Sequence, residues 1–94
     1  MQKYVYNGHK ANRDEMKVGD IVSDIEPGGL MAAELFKVAR IDENRLYLEW
    51  LGHYDSETQT VDASSKTWYR AEKDGTYAFI NDNAFSGFLS VDLA

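Results

Sequence analysis

The feature that most constrains this chain is an alternation of apolar and polar residues on either side of a short polar turn, within residues 35–57. Leu46, Leu48 and Trp50 are two residues apart, and polar residues such as Glu49 stand between them. An alternation of period two places successive side chains on opposite faces of a strand. This segment therefore predicts a β-hairpin with one apolar face and one carboxylate-bearing face.

The turn sets the register of this hairpin. A three-residue loop over residues 42–44, with Asn44 in the left-handed conformation, is a common arrangement for such a sequence. It predicts that apolar side chains meet on one face and that a lysine meets a glutamate on the other. The predicted cross-strand pairs are Phe36 with Trp50, Val38 with Leu48, Arg40 with Leu46, and Lys37 with Glu49.

Other segments rich in β-forming residues predict further strands. Residues 18–25 end at a Pro-Gly-Gly turn, and residues 66–72 and 76–81 flank an Asp-Gly turn as a second hairpin. Residues 89–93 alternate as a half-buried strand does. The helix formers just before residue 35 predict at most one short helical turn, near 29–34.

The order of strand, long loop, strand, tight turn and two further strands is similar to that of SH3-like small barrels. Residues 18–22, 35–42 and 45–51 carry this resemblance, which covers about half of the chain. We expect an all-β fold, a small SH3-like barrel with a C-terminal β-hairpin extension, formed by a single domain of residues 1–94. Its expected parts are a peripheral N-terminal strand and loop (1–17), a barrel core (18–72), and a C-terminal hairpin with a closing strand (73–94).

The composition describes an acidic chain that folds without cross-links. Of its 94 residues, 44% are hydrophobic and 13% aromatic, and cysteine is absent. Such a chain can build a core without metal or disulfides, and it fits a reducing cytoplasm. No apolar run is long enough to span a membrane. Sixteen acids against ten bases give a net charge of −6, which repels nucleic-acid phosphates and favours basic surfaces.

The negative charge is concentrated in residues 42–62, which hold six acids and one base. In an extended strand, the odd positions from 47 to 57 share one face. We therefore predict a carboxylate-rich patch with an aromatic anchor that docks a basic partner. The predicted partner-binding residues are Asp42, Glu43, Tyr47, Glu49, Asp55 and Glu57. The alternative is a solvated strand face whose charges discourage pairing between sheet edges.

Motifs for catalysis, metal binding or phosphate binding are absent from the sequence. The two histidines, His9 and His53, are 44 residues apart, and without cysteine a zinc site would need carboxylates. His53 and Asp55 could form a minimal imidazole–carboxylate pair, but no supporting nucleophile is evident. The sequence predicts no catalytic residue, no metal site and no cofactor. An enzyme whose carboxylates converge only in space remains the alternative.

These observations favour a non-enzymatic protein-interaction module in the cytoplasm, with an acidic surface that docks a basic protein, including one from a nucleic-acid-binding complex. Direct binding to nucleic acid or membrane is not expected. These properties are shared by phage-type inhibitors of host nucleic-acid-binding or defence complexes, such as anti-CRISPR proteins and DNA mimics. The analogy is to the class of protein, and no motif of this chain carries it. Two alternatives stay open. One is a small-ligand barrel with a pocket lined by Trp50, Trp68, Tyr69 and Tyr77. The other is a structural subunit that self-associates through the terminal strand, residues 87–93.

Overall fold

The protein is an all-β domain, as predicted. The computed structural model describes residues 2–11, 13–24, 33–64, 71–80 and 88–94. Within them, seven strands form one curled antiparallel sheet, and residues 13–15 form a 3-10 turn. The strands are β1 Tyr4–Lys10, β2 Ile21–Ser23, β3 Ala33–Ile41, β4 Arg45–Asp55, β5 Thr60–Asp62, β6 Tyr77–Ile80 and β7 Leu89–Leu93.

The sheet follows the order β1-β7-β2-β3-β4-β5, and β6 pairs with the first half of β4. The curl brings β1 towards the turn between β4 and β5. There the Tyr4 N–H donates to the Gln59 carbonyl at 2.8 Å, and the Tyr54 hydroxyl donates to the Tyr4 carbonyl at 2.6 Å. These two bonds join β1 to β4 and to the β4–β5 turn. The result is a half-barrel, compatible with the small barrel expected from the sequence.

The short helical turn allowed near 29–34 is not formed at its described end. Ala33 and Glu34 are the first two residues of β3, and residues 29–32 lie outside the described part of the chain. Both residues are buried against neighbouring strands, so tertiary pairing overrides their helix propensity.

In the described part of the chain, we find no helix with the length and apolar character that a membrane crossing requires.

Apolar side chains are buried on both faces of the sheet. The first core is built around Phe36, whose ring contacts Tyr77, Phe79 and Phe88 at centroid distances of 6.1, 5.7 and 6.2 Å. It also contains Ala11, Met16, Val22, Val38, Leu46 and Leu48. The second core contains Ala33, Leu35, Tyr54 and Val91. The C-terminal aromatics that the structure describes therefore fill a core, as large side chains of a small barrel should.

The predicted pairing of the main hairpin is right at its centre and wrong beside the turn. Phe36, Lys37 and Val38 face Trp50, Glu49 and Leu48, as predicted. Arg40, however, faces Tyr47 instead of Leu46, and Asn44 does not have a positive φ. The turn is tighter than predicted, because the Asp42 N–H donates to the Arg45 carbonyl at 2.9 Å.

Two bulges reconcile these observations. The register shifts by one residue between Val38 and Arg40, where β3 carries the extra residue Ala39. It shifts back between Leu35 and Phe36, where β4 carries the extra residue Leu51. A bulge adds one residue to one strand and locally disrupts the ladder. The predicted register therefore holds only between the two bulges.

The strand predicted to start at Val18 begins instead at Ile21. Val18 and Gly19 lie in a turn in which the Asp20 N–H donates to the Lys17 carbonyl at 3.0 Å. Gly19 has φ +98°, which favours glycine, and Val18 is 66% exposed. The start of this segment is thus a turn and not part of the core.

The Asp-Gly turn predicted before the last strands is present. The Gly75 N–H donates to the Glu72 carbonyl at 3.0 Å, and Gly75 has φ +85°. The strand that follows, β6, pairs with β4. In the first arm of the predicted second hairpin, residues 66–72, residues 66–70 lie outside the described part of the chain, and residues 71 and 72 are not in a strand.

The last strand, β7, lies inside the sheet. It pairs with β1 on one side, where Tyr6 faces Val91, and with β2 on the other, where Ile21 faces the same residue. Both edges of β7 are therefore used within this chain. Self-association through this strand stays a prediction, and it would require β7 to leave its own sheet.

Candidate functional site

The predicted partner-binding residues fall into separate groups. Asp42 and Glu43 are exposed at the β3–β4 turn. Arg40 Nε lies 4.0 Å from Asp42 Oδ2, and Arg45 follows the turn. Two cations therefore accompany the two carboxylates at this hairpin tip, and its local charge is close to balanced.

The middle of β4 is also close to neutral. Tyr47 is half-buried beneath Arg40, whose guanidinium carbon lies 3.9 Å from the centre of the ring. Glu49 is exposed and faces Lys37 across the hairpin. Such exposed cross-strand pairs contribute at most about 1 kcal/mol. These side chains form a mixed-charge surface and not an acidic one.

Asp55 and Glu57 lie at the other end of β4. Both are exposed, and the Glu57 N–H donates to Asp55 Oδ1 at 2.9 Å within the β4–β5 turn. At about 3.3 Å per residue, the eleven residues of β4 place this turn about 30 Å of strand from the hairpin tip. The six predicted residues therefore do not form one patch.

The bulge at Leu51 also changes which residues share a face. Phe36 faces Trp50 and Glu34 faces His53, so Trp50 and His53 point to the same side of β4. Their rings confirm this, with centroids 5.2 Å apart in an edge-to-face arrangement. The expectation that the odd positions from 47 to 57 share one face is therefore wrong beyond the bulge.

The shared face carries a transverse row of polar residues. We call Asp24, Glu34, His53 and Asp62 the polar row, since they lie on four neighbouring segments of the sheet. Glu34 faces His53, and His53 faces Asp62. Asp24 joins the row through its Oδ1, which accepts a hydrogen bond from the Glu34 N–H at 2.8 Å. Three carboxylates and one imidazole therefore line one end of the sheet.

Glu34 is the unusual member of the polar row. Its side chain is 2% exposed, and neither carboxylate oxygen has a hydrogen-bond partner among the described residues. His53 Nδ1 lies 3.5 Å from Glu34 Oε1, and the His53 side chain is 29% exposed. A buried carboxylate without hydrogen bonds is costly, so such a group is usually retained for a reason other than stability.

Trp50 adds a second unsatisfied polar atom. The ring packs between the first core and His53, and its Nε1 is buried without a hydrogen-bond partner in the described part of the chain. Buried indole N–H groups usually find a partner. Next to the polar row, three buried polar atoms, the two Glu34 oxygens and Trp50 Nε1, therefore make no hydrogen bond with the described residues.

Asp62 forms the outer border of the polar row. It is exposed, and its Oδ1 accepts a hydrogen bond from the Ser64 N–H at 2.9 Å. Hydrogen bonds from the Ser64 side chain and backbone hold the pKa of Asp62 below its usual value, and the neighbouring His53 acts in the same direction. Asp62 thus presents a stable negative charge beside the imidazole.

Sequence reasoning identified His53 but gave it Asp55 as a partner and missed Glu34. Glu34 stood in the segment with helix propensity, so its pairing with His53 was not visible. The described residues contain no cluster of three or more histidine and carboxylate side chains that could hold a metal ion.

The aromatic pocket considered as an alternative is not seen in the described residues. Trp50 and Tyr77 pack against the first core, and Trp68 and Tyr69 lie outside the described part. A cavity of about 190 Å³ lies elsewhere, between β1, β2 and β7, with a lining that includes Lys10, Glu15, Met16, Asp20 and Asp92.

Comparisons with protein-family models, with curated proteins and with solved structures find no match to this chain.

Proposed function

We propose that this protein is a non-enzymatic interaction module that binds a basic protein partner through one acidic end of its sheet. We call Asp24, Glu34, Asp55, Glu57 and Asp62 the acidic end. Residues 21–24, 33–36 and 50–64, which surround it, contain no lysine or arginine. Lys3 stands at its border, because the neighbouring Tyr4 bonds to the β4–β5 turn.

The observation that supports this choice is the contrast between the two ends of β4. The hairpin tip balances Asp42 and Glu43 with Arg40 and Arg45, whereas residues 21–24, 33–36 and 50–64 around the acidic end carry carboxylates and no lysine or arginine. Unbalanced charge of one sign steers an oppositely charged partner and sets the orientation of docking. The acidic end is therefore the better docking surface, and the interaction residues first predicted at the tip and mid-strand become controls.

The test compares two charge reversals of equal size. Asp55→Lys with Glu57→Lys changes the acidic end, and Asp42→Lys with Glu43→Lys changes the hairpin tip by the same amount. Two charges about 7 Å apart interact by about 0.6 kcal/mol in water, so reversing two charges changes binding by about 2 kcal/mol, or more than tenfold. We expect that loss only for the first double variant.

The measurement is quantitative mass spectrometry of proteins retained from native host lysate by the immobilised wild type and each variant, at low and high salt. A partner of this surface should be retained by the wild type and the tip variant, lost by the acidic-end variant, and released by salt. Equal retention by both variants would rule out the acidic end as the docking surface.

A further inference from the structure

The buried carboxylate of Glu34 lacks the hydrogen-bond donors that its chemistry calls for. An ionised carboxylate offers about four acceptor positions, and its two oxygens here receive no hydrogen bond from the described residues. His53 Nδ1 lies 3.5 Å from its Oε1. Glu34 therefore has one charged neighbour in the polar row, and its oxygens accept no hydrogen bond from the described residues.

The surroundings of Glu34 suit a flat organic cation. Asp62 supplies an exposed negative charge on the far side of His53, and Trp50 supplies an aromatic ring next to that imidazole. A planar cation is attracted by the face of an aromatic ring and by carboxylates on either side. The same chain already places a guanidinium on an aromatic ring, since Arg40 lies over Tyr47.

We propose that the acidic end recognises an arginine side chain of its partner, with Glu34 as the buried acceptor. Once His53 has moved aside, the two Glu34 oxygens, which accept no hydrogen bond from the described residues, match the forked donors of a guanidinium, which binds carboxylates through two parallel hydrogen bonds. A lysine ammonium is a point charge that cannot make this paired contact or stack on Trp50. This inference rests on the proposed function and names the group that the partner contributes.

Binding requires a movement of His53. Glu34 is 2% exposed, whereas the His53 side chain beside it is 29% exposed and lies at the border with Asp62. The incoming guanidinium displaces the imidazole from Glu34 and takes its place between Glu34 and Asp62. Replacing His53 with alanine therefore leaves arginine binding intact or strengthens it, whereas replacing Glu34 with glutamine weakens it.

The experiment measures binding of two fluorescently labelled, glycine-spaced peptides of equal charge, one carrying arginines and the other lysines, to the full chain. We expect the wild type to prefer the arginine peptide by about tenfold, the size of one charge-assisted bidentate contact. Glu34→Gln should remove this preference while leaving salt-sensitive binding of the lysine peptide. The double variant of Asp55 and Glu57 should weaken both peptides and keep the preference.

The outcomes separate this inference from the proposed function. Equal, salt-sensitive binding of both peptides by the wild type would overturn the arginine inference and leave the acidic end as a docking surface. Binding of neither peptide would overturn both. If Glu34→Gln does not fold, as judged by circular dichroism, Trp50→Phe provides the second test, because it keeps an aromatic ring but weakens stacking. An arginine preference unchanged in Trp50→Phe would contradict the proposed geometry.

Discussion

Replacing Gly52 with alanine should destabilise the protein by about 3 kcal/mol. Gly52 has φ +142°, and holding an L-residue in such a sparsely populated conformation costs about 1–3 kcal/mol. A Cβ at this position would lie 2.9 Å from both the carbonyl carbon and the carbonyl oxygen of Asp62. Forcing an extra group into filled space costs a further ~1–3 kcal/mol. Alanine also restricts the unfolded chain, which returns about 0.4–1 kcal/mol.

The assay is urea unfolding followed by circular dichroism, with two alanine variants as controls. Gly19 and Gly75 also have positive φ, +98° and +85°, but no atom lies within 4 Å of a Cβ built on either residue. Gly19→Ala and Gly75→Ala therefore carry the conformational cost without the steric cost, and they should lose about 1–3 kcal/mol less than Gly52→Ala. A 94-residue domain has about 5–14 kcal/mol of stability, so the loss is easily measured.

A second readout connects this substitution to the polar row. The Cβ at Gly52 would press on the backbone of Asp62 and push β5 away from His53, so the peptide binding proposed above should weaken in Gly52→Ala but not in Gly75→Ala. Equal unfolding free energies for Gly52→Ala and the two control variants would refute the steric argument.

Three further predictions concern single hydrogen bonds and backbone strain. Tyr54→Phe should lower the free energy of unfolding by about 1 kcal/mol, because it removes the hydrogen bond to the Tyr4 carbonyl. Burial raises the pKa of Tyr54 above 10.0, so the wild type should lose stability as the pH rises through the pKa of Tyr54 in the folded protein. Urea unfolding at a series of alkaline pH values should show this loss in the wild type and not in Tyr54→Phe. Gln59→Gly should stabilise the protein by up to about 1 kcal/mol, because Gln59 has φ +61°, a left-handed conformation that glycine adopts more easily. Thermal melts measure this effect, and a lower melting temperature for the variant would contradict it. Hydrogen bonds from the side chain and backbone of Thr76 lower the pKa of Asp74 in the folded protein below its usual 3.8. The stability that Asp74 adds is therefore present above pH 3.8 and is lost as the pH falls through the pKa of Asp74 in the folded protein. When the free energy of unfolding is measured over that acid range, it should fall less steeply for Asp74→Asn than for the wild type.

The centre of the main hairpin could be predicted because the apolar and polar side chains of its two strands fit together in one register. Apolar Phe36 and Val38 alternate with Lys37, and Trp50 and Leu48 alternate with a glutamate, so one offset satisfies every pair at once. A one-residue slip there would place charge in the core. The all-β class followed from the same alternation, repeated along the chain.

The bulge at Ala39 could not be predicted, because nothing in the neighbouring sequence marks it. The bulge at Leu51 is marked only by the adjacent Gly52, since a glycine inside a strand often marks a bulge. The second bulge places His53 on the same face of the sheet as Glu34. The candidate site therefore includes Glu34, which was not among the predicted residues. A single displaced residue in β4 therefore decided which carboxylates converge.

Glu34 was missed for a different reason. Its neighbours have high helix propensity, and local propensity is a weak guide where tertiary pairing decides. The Glu34 backbone bonds to Asp24, ten residues earlier: the Glu34 N–H donates to Asp24 Oδ1, and the Glu34 carbonyl accepts from the Asp24 N–H. Its partner His53 is nineteen residues later. Contacts of that separation depend on the assembled sheet and not on the sequence nearby.

The position of β7 between β1 and β2 has a consequence for how the chain assembles during synthesis. Tyr4 in β1 pairs with Leu93 in β7, and β7 follows the other described strands along the chain, so β1 cannot enter the sheet until those strands have been translated. Pairings between such distant residues slow folding, since the closure of a long loop comes before any gain from contact. Until then β1 and the outer edge of β2 remain unpaired, and unpaired strand edges can pair with other chains.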